Sequence, residues 1–411
     1  MTSITTSRVH DLPGPLRPRA WLTRTLVDRI LSGLPVRALY PDGTVRGAGG
    51  PDDPALRIVR PAAFFDRLGH NPKIGLGEAY MAGDWTVAEG TDLGELLTPF
   101  AARVTTLLPG PLTSLRRLVD QRIPGRLRNT LSGARSNVQA HYDLSNDLFA
   151  GFLDPTMSYS CAVFGGSPPY DAQSLEDAQR RKIDRILDLA GVTQGTRLLE
   201  IGTGWGALAI AAARRGAHVT GVTLSGEQLA LAERRVAGAG LGDRVELRLQ
   251  DYRALRGRYD AIVSVEMIEA VGAEYWPTYF GTLDRLLAPG GRIALQAILM
   301  DHDRMLATRN SFSWIQKYIF PGGLIPSRRA IEESLASTGL RIVADDRFGP
   351  HYAETLRRWR RRFDEQWPRI RTLGFDENFR RMWELYLAYS EAGFASGCLD
   401  VGQLQLARSA R

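Results

Sequence analysis

The chain has 411 residues, of which 44% are hydrophobic and 24% are charged, and this is the composition of an ordinary globular protein with room for two domains. Lys and Arg number 52 against 45 Asp and Glu, so the net charge is +7. An excess of positive charge favours an anionic partner, such as a nucleic acid, a membrane surface or an acidic substrate. These values exclude a disordered acidic chain, a collagen-like chain and a disulfide scaffold.

Cysteine content and apolar runs indicate the compartment. Cys161 and Cys398 allow at most one disulfide, and no cluster of Cys and His has the spacing of zinc ligands. The N-terminus lacks the continuous apolar segment of a signal peptide, and the best apolar run, 207–213, is far shorter than the roughly 18 residues of a spanning helix. We therefore expect a cytoplasmic protein that meets a membrane only from the surface.

The N-terminal part of the chain predicts three segments. Residues 1–20 are rich in Pro, Arg, Thr and Ser, which predicts a flexible N-terminus. Residues 21–108 combine helical spacing with a hairpin signature at Pro41-Asp42-Gly43, which predicts a small α+β domain. Residues 109–137 carry two Pro-Gly dipeptides and, from 116 to 135, six arginines against one aspartate. This basic linker is either a solvated connection or a surface for anionic lipid head groups, where each basic group contributes about 1 kcal/mol.

Residues 138–411 alternate between strand and helix patterns. The segments with the apolar pattern of strands are 197–202, 218–223, 244–251, 259–267 and 292–299. Helical segments lie between them, with Ser225 as an N-cap and with Pro289-Gly290-Gly291 closing the helix that starts near Tyr275. Short loops between alternating strands and helices predict an α/β fold with a doubly wound parallel sheet, whose ligands bind beyond the carboxyl ends of the strands.

A glycine-rich loop, 200–206, joins the first of these strands to its helix. Its sequence, EIGTGWG, places the third glycine one residue earlier than a dinucleotide fingerprint does, and the next strand ends without an acidic residue, which argues against NAD. The motif resembles motif I of the class I S-adenosylmethionine (SAM) methyltransferases, which implies a Rossmann-like sheet. The alternative is a glycine turn that binds no cofactor.

Two carboxylates, Glu266 and Glu269, follow the fourth strand at a spacing of three. Either could hold a base or a cation, or could be a helix-start carboxylate favoured by the helix dipole. We interpret Glu266 in the second way and Glu269 as functional. The block 139–161 precedes the sheet and could cover its ligand as a lid. Taken singly, its residues have simpler roles, with Ser145 as an N-cap and Phe149 as a core residue.

Together these blocks resemble the cyclopropane fatty acid synthase family, which includes the mycolic acid methyltransferases. The resemblance runs from about Val138 to Leu406 and rests on HYDLSNDLF, MSYSC, EIGTGWG, GVTLSGEQ, VSVEMIEAVG, FSWIQKYIFPGGLIPS, FGPHYAETLRRW and EAGFASGCLDVGQLQLAR. It implies a SAM-dependent methyltransferase domain over residues 138–411. The N-terminal GEAYMAGDW and DLGELL are similar to the extra domain of the phospholipid-acting members, which implies a phospholipid substrate and a homodimer.

The resemblance also implies the residues that bind SAM. These are Tyr159 and Ser160 from the lid, Gly202 and Gly204 in the loop, Thr223 and Gln228 at the ribose and amino-acid portions, and Tyr252 beside the adenine. No metal is implied.

In this family a bicarbonate ion lies beside the reacting methyl group. Its ligands map to the catalytic candidates Cys161 (backbone), Glu269, Gln296, Ile298 (backbone) and Tyr352. Two positions depart from well-known members, which have a histidine where this chain has Gln296 and a cysteine where it has Ser390. Gln296 can donate a hydrogen bond but cannot titrate.

The implied reaction is methyl transfer to a cis double bond, which creates a carbocation. The site must then exclude water. Aromatic faces are candidates to stabilise the cation, and those considered are Tyr142, Tyr318 and Phe320. A base must then remove a proton. Glu269 and Tyr352 would position bicarbonate as that base. The first cation leads to a cyclopropane or, after a hydride shift, to an exomethylene chain. Gln296 and Ser390 motivate the hypothesis that a changed base site favours the hydride shift, and both products stay open at this point.

Other classes of function remain to be compared with this one. An N-methyltransferase of a small amine and a non-catalytic lipid-binding protein are alternatives. A nucleic-acid methyltransferase is disfavoured, because this chain lacks at 265–268 the Pro-Pro-Tyr type of motif that amino-methylating members of that class use. The arginine run 357–362 is either a solvated helix face or a phosphate-binding rim with Trp359 at a membrane interface. We therefore expect a SAM-dependent C-methyltransferase that acts on unsaturated phospholipid at the inner surface of an anionic membrane and binds no nucleic acid.

Overall fold

The computed structural model describes residues 18–103, 124, 129–130 and 145–408. The chain divides into two compact units, one of Met1–Val119 with Glu377–Leu385 and one of Asp120–Asp376 with Tyr386–Arg411. The basic linker, apart from residues 124, 129 and 130, lies outside the described residues, as do most of the N-terminal segment 1–20 and Tyr142. The roles that the sequence predicts for them therefore stay predictions.

The first unit combines helices with a small sheet. Its elements are α1 (Pro18–Leu31), β1 (Arg37–Leu39), β2 (Val45–Arg46), β3 (Ala55–Ile58), α2 (Pro61–His70), α3 (Pro72–Ala82), β4 (Trp85–Val87) and α4 (Leu93–Ala102). The strands form one sheet in the order β2-β1-β3-β4, and the antiparallel β1–β2 pair confirms the predicted hairpin. Pro61 and Pro72 begin their helices because the first helical position needs no N–H donor.

The second unit contains a seven-stranded sheet in the order β10-β11-β9-β8-β5-β6-β7. The strands are β5 (Arg197–Ile201), β6 (His218–Thr223), β7 (Val245–Leu249), β8 (Tyr259–Val265), β9 (Leu287–Met300), β10 (Leu340–Arg347) and β11 (Leu399–Arg408). β5 to β9 pair in parallel, which confirms the predicted doubly wound sheet, and β10 and β11 add an antiparallel edge. The strand order reverses at β5, which lies between β6 and β8, so a ligand crevice is expected at its carboxyl end.

The α-helices of residues 145–408 lie before, between and after these strands in the chain. They are α5 (Asn146–Phe152), α6 (Leu175–Leu189), α7 (Ala207–Arg214), α8 (Gly226–Gly238), α9 (Trp276–Leu286), α10 (His302–Thr308), α11 (Trp314–Tyr318), α12 (Arg328–Leu335), α13 (Gly349–Ile370) and α14 (Glu377–Ala395). Ser145 and Ser225 accept hydrogen bonds from the first backbone N–H groups of α5 and α8, which confirms both predicted N-caps. Phe149 is fully buried, as predicted. Among the described helices, none is long and apolar enough to span a bilayer.

Two boundaries differ from the sequence prediction. Pro289-Gly290-Gly291 does not close α9, because α9 ends at Leu286 and the three residues lie within β9. The pairing of β9 with β8 shifts register there, and Gly290 adopts a φ of 74° that the irregularity requires.

The second difference concerns Glu377–Leu385, which the sequence placed in the C-terminal domain and which belongs to the first unit. The Tyr80 hydroxyl of α3 donates to Glu384 Oε2 at 3.0 Å, and Arg381 Nη1 donates to the carbonyl of Tyr80 at 3.3 Å. Contacts between residues about 300 apart in the chain leave no local signal in the sequence.

Candidate active site

The glycine-rich loop forms the floor of a cavity at the carboxyl end of β5. Gly202, Gly204 and Gly206 have φ values of 86°, 52° and 84°, so each adopts the left-handed region that side chains disfavour. A Cβ at Gly202 would lie 3.2 Å from Met267 Cγ, whereas a Cβ at Gly204 would meet no protein atom within 4 Å. The loop therefore leaves backbone open to a ligand at Gly204, as a closely packed cofactor needs.

This glycine-loop cavity brings together every residue that the resemblance assigned to SAM. Its lining includes Tyr159, Ser160, Gly202, Gly204, Thr223, Gln228 and Tyr252. The Thr223 hydroxyl donates to Gln228 Oε1 at 3.0 Å, which links the end of β6 to the start of α8. The geometry fits a nucleoside cofactor, and the atoms of SAM that each residue contacts stay a prediction.

Glu200 is a buried carboxylate in the wall of the same cavity. Its Oε2 accepts a hydrogen bond from the Thr203 hydroxyl at 2.5 Å. Burial raises the pKa of Glu200 from an ordinary 4.5 to about 8, and this hydrogen bond and the charge of Lys182 only partly oppose that rise. A cationic ligand in the cavity would favour the ionised form.

Lys182, on α6, is a functional candidate that the sequence analysis missed. It is 2% exposed, and its Nζ donates to the Ser160 hydroxyl at 2.6 Å. Burial lowers its pKa, while the charges of Glu266 and Glu200 act in the opposite direction. Gln179, one turn earlier, donates to the carbonyl of Ser160 at 2.8 Å. Helix α6 therefore holds the segment that carries two predicted SAM ligands.

A second cavity, the apolar cavity, adjoins the first. Its lining is mainly aliphatic and aromatic and includes Ile298, Ile315, Phe320, Leu324, Tyr352, Leu356, Tyr386, Ser390 and Phe394. Asn129, Tyr159, Glu266 and Ala270 line both cavities, so the two meet at these residues. Of the aromatic residues proposed to stabilise a cation, Phe320 lines the apolar cavity. Tyr318 is not in its lining and packs instead against Trp314.

Glu266 lies where the cavities meet, and its interpretation as a helix-start carboxylate is wrong. The short 3₁₀ helix that follows, Ile268–Ala270, receives no hydrogen bond from a capping side chain. Instead, Glu266 Oε1 accepts from the backbone N–H of Cys161 at 2.9 Å and from Gln296 Nε2 at 2.8 Å, and Oε2 accepts from the Tyr352 hydroxyl at 2.5 Å. Three separate parts of the chain thus donate to one carboxylate.

The structure does not fit the bicarbonate ion that the resemblance implies. Of its five predicted ligands, Cys161, Gln296 and Tyr352 donate to Glu266, and the backbone N–H of Ile298 donates to Glu269 Oε1 at 2.5 Å. Both carboxylates belong to the chain, and they already occupy the donors that an added anion would need. Three of the five predicted residues thus converge on Glu266, while Ile298 contacts Glu269.

The two carboxylates have different surroundings. Burial and the charge of Glu266 raise the pKa of Glu269 to about 8, and its Oε2 has no hydrogen-bond partner among the described residues. Burial also raises the pKa of Glu266, but its three donors and the nearby charge of Lys182 oppose the rise. Tyr352 has its pKa raised well above 10 by burial and by Glu266, so it stays a neutral donor. Glu266 is therefore the better stabilised anion of the pair.

Gln296 is held in one orientation by a second glutamine that the sequence analysis missed. Gln403 lies directly opposite Gln296 in the β9–β11 pairing, and its Nε2 donates to Gln296 Oε1 at 3.1 Å. The amide group of Gln296 then points to Glu266 and to the carbonyl of Cys161, 3.1 Å away. Both glutamines are 1% exposed, so the arrangement is part of the interior.

The arginine run of α13 is not a rim with a tryptophan at a membrane interface, because Trp359 is fully buried. Its ring lies 5.2 Å from that of Tyr159 and 6.2 Å from that of Tyr352. Arg358 pairs with Glu354 at 2.6 Å and Arg360 pairs with Glu391 at 3.0 Å. Trp359 therefore packs against Tyr159 and Tyr352 of the site. Arg358 and Arg360 form ion pairs within the protein.

Comparisons with known proteins agree with this geometry. Residues 130–404 match the family model described as mycolic acid cyclopropane synthetase. The chain is 54% identical over 400 residues to tuberculostearic acid methyltransferase UfaA1 of Mycobacterium tuberculosis, covering 96% of this chain and 93% of that protein. It is 36% identical over 369 residues to the cyclopropane-fatty-acyl-phospholipid synthase of Escherichia coli, covering 86% and 87%.

A solved structure of a relative shows the same fold with a cofactor product bound. Mycolic acid cyclopropane synthase CmaA1, in complex with SAH and CTAB, superposes with a TM-score of 0.61 at 32% identity, covering 66% of this chain and 97% of that one. The match of the family model and the identity to full-length relatives, together with a glycine-loop cavity that fits SAM, show that the chain belongs to the mycolic acid cyclopropane synthetase family and is a SAM-dependent methyltransferase of the cyclopropane-fatty-acyl-phospholipid synthase type.

Proposed function

We propose that this enzyme transfers the methyl group of SAM to the cis double bond of an unsaturated phospholipid acyl chain and releases an exomethylene chain. The observation that carries the proposal is the junction of the two cavities at Tyr159 and Glu266. One cavity has the glycine loop and the buried Glu200, and the other is apolar. A charged cofactor and a hydrocarbon chain could therefore meet at a single point.

The apolar cavity suits an alkene that reacts through a cation. SAM, when bound, supplies a methyl group on a sulfonium, and the π electrons of the double bond take it as the carbon–sulfur bond breaks. The aliphatic walls exclude water, which would otherwise convert the cation to an alcohol. Tyr386, Phe394 and Phe320 line the cavity, and each aromatic face near a cation contributes about 0.5–2 kcal/mol.

The exomethylene product is favoured over the cyclopropane for two reasons. The relative that is 54% identical is named for tuberculostearic acid, whereas the relative named for cyclopropane formation is 36% identical. This chain also has Gln296 and Ser390 at positions that the resemblance marks as histidine and cysteine. Both line or adjoin the reaction cavity, since Ser390 is in its wall and Gln296 contacts Glu266. A methyl branch would then require a hydride donor supplied by a second, reducing enzyme.

A phospholipid in an anionic membrane is proposed as the substrate, and this rests on the sequence. The N-terminal segment is similar to the extra domain of phospholipid-acting relatives, and the net charge is +7. A homodimer, implied by the same resemblance, stays a prediction.

The test is a product analysis with purified protein, SAM carrying a ¹³C-methyl group, and phosphatidylglycerol vesicles with oleoyl chains. We expect ¹³C in an exomethylene fatty acid, identified by mass spectrometry after transesterification. Vesicles with stearoyl chains are the control, because they offer no double bond. Label in a cyclopropane chain alone would overturn the assigned product, and label in an added small amine but not in lipid would favour an N-methyltransferase.

A further inference from the structure

We propose that the carboxylate of Glu266 takes the place of the bicarbonate ion that the family resemblance implies and is the group that removes the proton in this enzyme. The inference rests on the proposed function for the identity of the reaction. It goes beyond that function by naming the base, and by predicting that the enzyme needs no bicarbonate.

The donors around Glu266 are those that a bound bicarbonate would need. The three hydrogen bonds that reach its carboxylate, from Cys161, Gln296 and Tyr352, are 2.9, 2.8 and 2.5 Å long. A carboxylate and bicarbonate share a planar group of two oxygens on one carbon, so the same donors suit either. They cannot serve both at once.

The backbone also fixes the position of Glu266 in the site. Glu266 follows directly on β8, and its φ of 50° is a conformation that non-glycine residues seldom adopt. Its own N–H donates to the carbonyl of Gln296 at 2.7 Å, so backbone and side chain are both tied to β9. This geometry aims the carboxylate at the junction of the glycine-loop cavity and the apolar cavity. The transferred methyl group must cross that junction.

The electrostatics of the two neighbouring carboxylates also favour Glu266 as the base. Glu266 and Glu269 are close enough that the charge of one raises the pKa of the other. Glu266 has three hydrogen-bond donors, whereas Glu269 Oε1 accepts from Ile298 and its Oε2 has no partner among the described residues. The donors therefore stabilise a negative charge on Glu266 better than on Glu269, and a base requires that charge. Gln296 donates to it at every pH because an amide does not titrate.

The proton step balances within the active site. After methyl transfer and the hydride shift, the cation lies on the carbon that carries the new methyl group. A Glu266 oxygen takes one proton from that methyl group, and the electron pair of the broken C–H bond forms the exomethylene double bond. Glu266 becomes a neutral carboxylic acid, which returns its proton to solvent after the product leaves. No oxidant or reductant is needed.

The test compares wild type, Glu266→Ala and Glu266→Gln, with Glu246→Ala as a control that removes an exposed carboxylate from β7. Wild-type activity should not change when bicarbonate and CO₂ are removed. Glu266→Ala should lose about 10²–10⁴-fold in rate, the usual contribution of a positioned base. Added formate or bicarbonate should restore much of this loss, because the vacated space keeps the donors. Glu266→Gln should stay inactive, since its amide fills that space.

A second measurement does not depend on turnover. ¹³C NMR of labelled bicarbonate and formate should show binding to Glu266→Ala in the presence of SAH, and no specific binding to wild type or to Glu246→Ala. Bicarbonate binding to wild type, or a wild-type rate that falls on bicarbonate removal, would overturn the inference. So would full activity of Glu266→Ala with loss of activity in Glu269→Gln. Failure of wild type to label any lipid would instead defeat the proposed function, and the binding result would still stand.

Discussion

Glu200 is buried and Glu266 and Glu269 are half-buried in the cavity walls, and the hydrogen-bond partners of these carboxylates differ. Glu200 and Glu269 both have a pKa of about 8, because burial penalises the anion more than their hydrogen bonds favour it. Glu266 has more donors and lies within the field of Lys182. Burial raises the pKa of Glu266 too, but these neighbours oppose the rise, whereas Glu200 and Glu269 are largely neutral at pH 7.

SAM binding should depend on pH through Glu200. A pKa of about 8 means that Glu200 is mostly protonated at pH 7 in the free enzyme. A bound sulfonium favours the ionised form, so binding at pH 7 releases a proton and the affinity for SAM should rise by about tenfold between pH 7 and pH 8.5. Isothermal titration calorimetry in buffers of different ionisation enthalpy measures both effects. Glu200→Gln should remove the pH dependence that exceeds that of SAM itself, and an unchanged profile would contradict this role for Glu200.

The role of a residue could be predicted where a sequence motif indicated it. It could not be predicted where the role depends on contacts between residues that are distant in the chain. The seven predicted SAM residues lie together in one cavity wall. Their motifs either follow the ends of successive parallel strands or belong to the block 139–161. Glu266 could not be distinguished from Glu269 by sequence, since both follow β8 and only the folded chain brings Cys161, Gln296 and Tyr352 to one of them. Lys182 lay outside every motif, and the motif that contains Gln403 assigned it no role. Their roles depend on contacts with Ser160 and Gln296 that only the folded chain makes.

Among the elements, strands of the parallel sheet were the most predictable. Central strands are buried on both faces, so they read as short apolar runs. β9 was not predicted from its true start, because Pro289 and Gly290 normally end an element and here form an irregular pairing with β8. One sequence-based interpretation of the arginine run of α13, as a rim with Trp359 at a membrane interface, was also wrong. Composition showed its charge, but the partners Glu354 and Glu391 were visible only in the fold.

The buried face of α13 should carry its stability, and its arginines should contribute little. Trp359→Ala removes a fully buried ring that packs on Tyr159 and Tyr352, so it should cost about 3–5 kcal/mol in the free energy of unfolding and should also lower activity. Arg361→Ala, on the exposed face, should change it by less than about 0.5 kcal/mol. Urea unfolding followed by circular dichroism compares them, and equal effects would contradict this assignment of faces.

At the scale of the whole molecule, fewer parts of the chain can account for the net charge of +7 than the sequence alone suggested. The arginines of α13 that pair with Glu354 and Glu391 are not available to a partner. The apolar cavity does not account for the charge either. The sequence also places six arginines against one aspartate between 116 and 135. An anionic surface from which the acyl chain is drawn would account for the basic linker and the apolar cavity together.

Charge reversal in the linker should therefore weaken membrane binding while leaving the chemistry intact. We expect Arg116→Glu, Arg117→Glu and Arg122→Glu, combined, to reduce binding to phosphatidylglycerol vesicles by about 3 kcal/mol or more at low salt, since each basic group contributes about 1 kcal/mol near an anionic surface. The matched control reverses Arg361, Arg362 and Arg369 of α13. Vesicle co-sedimentation measures binding, and SAM affinity should be unchanged in both. Because screening weakens long-range charge effects, the difference should shrink at 0.5 M salt, about 4 Å in Debye length. Equal loss in the two variants would show that net charge, and not its location in the linker, governs docking.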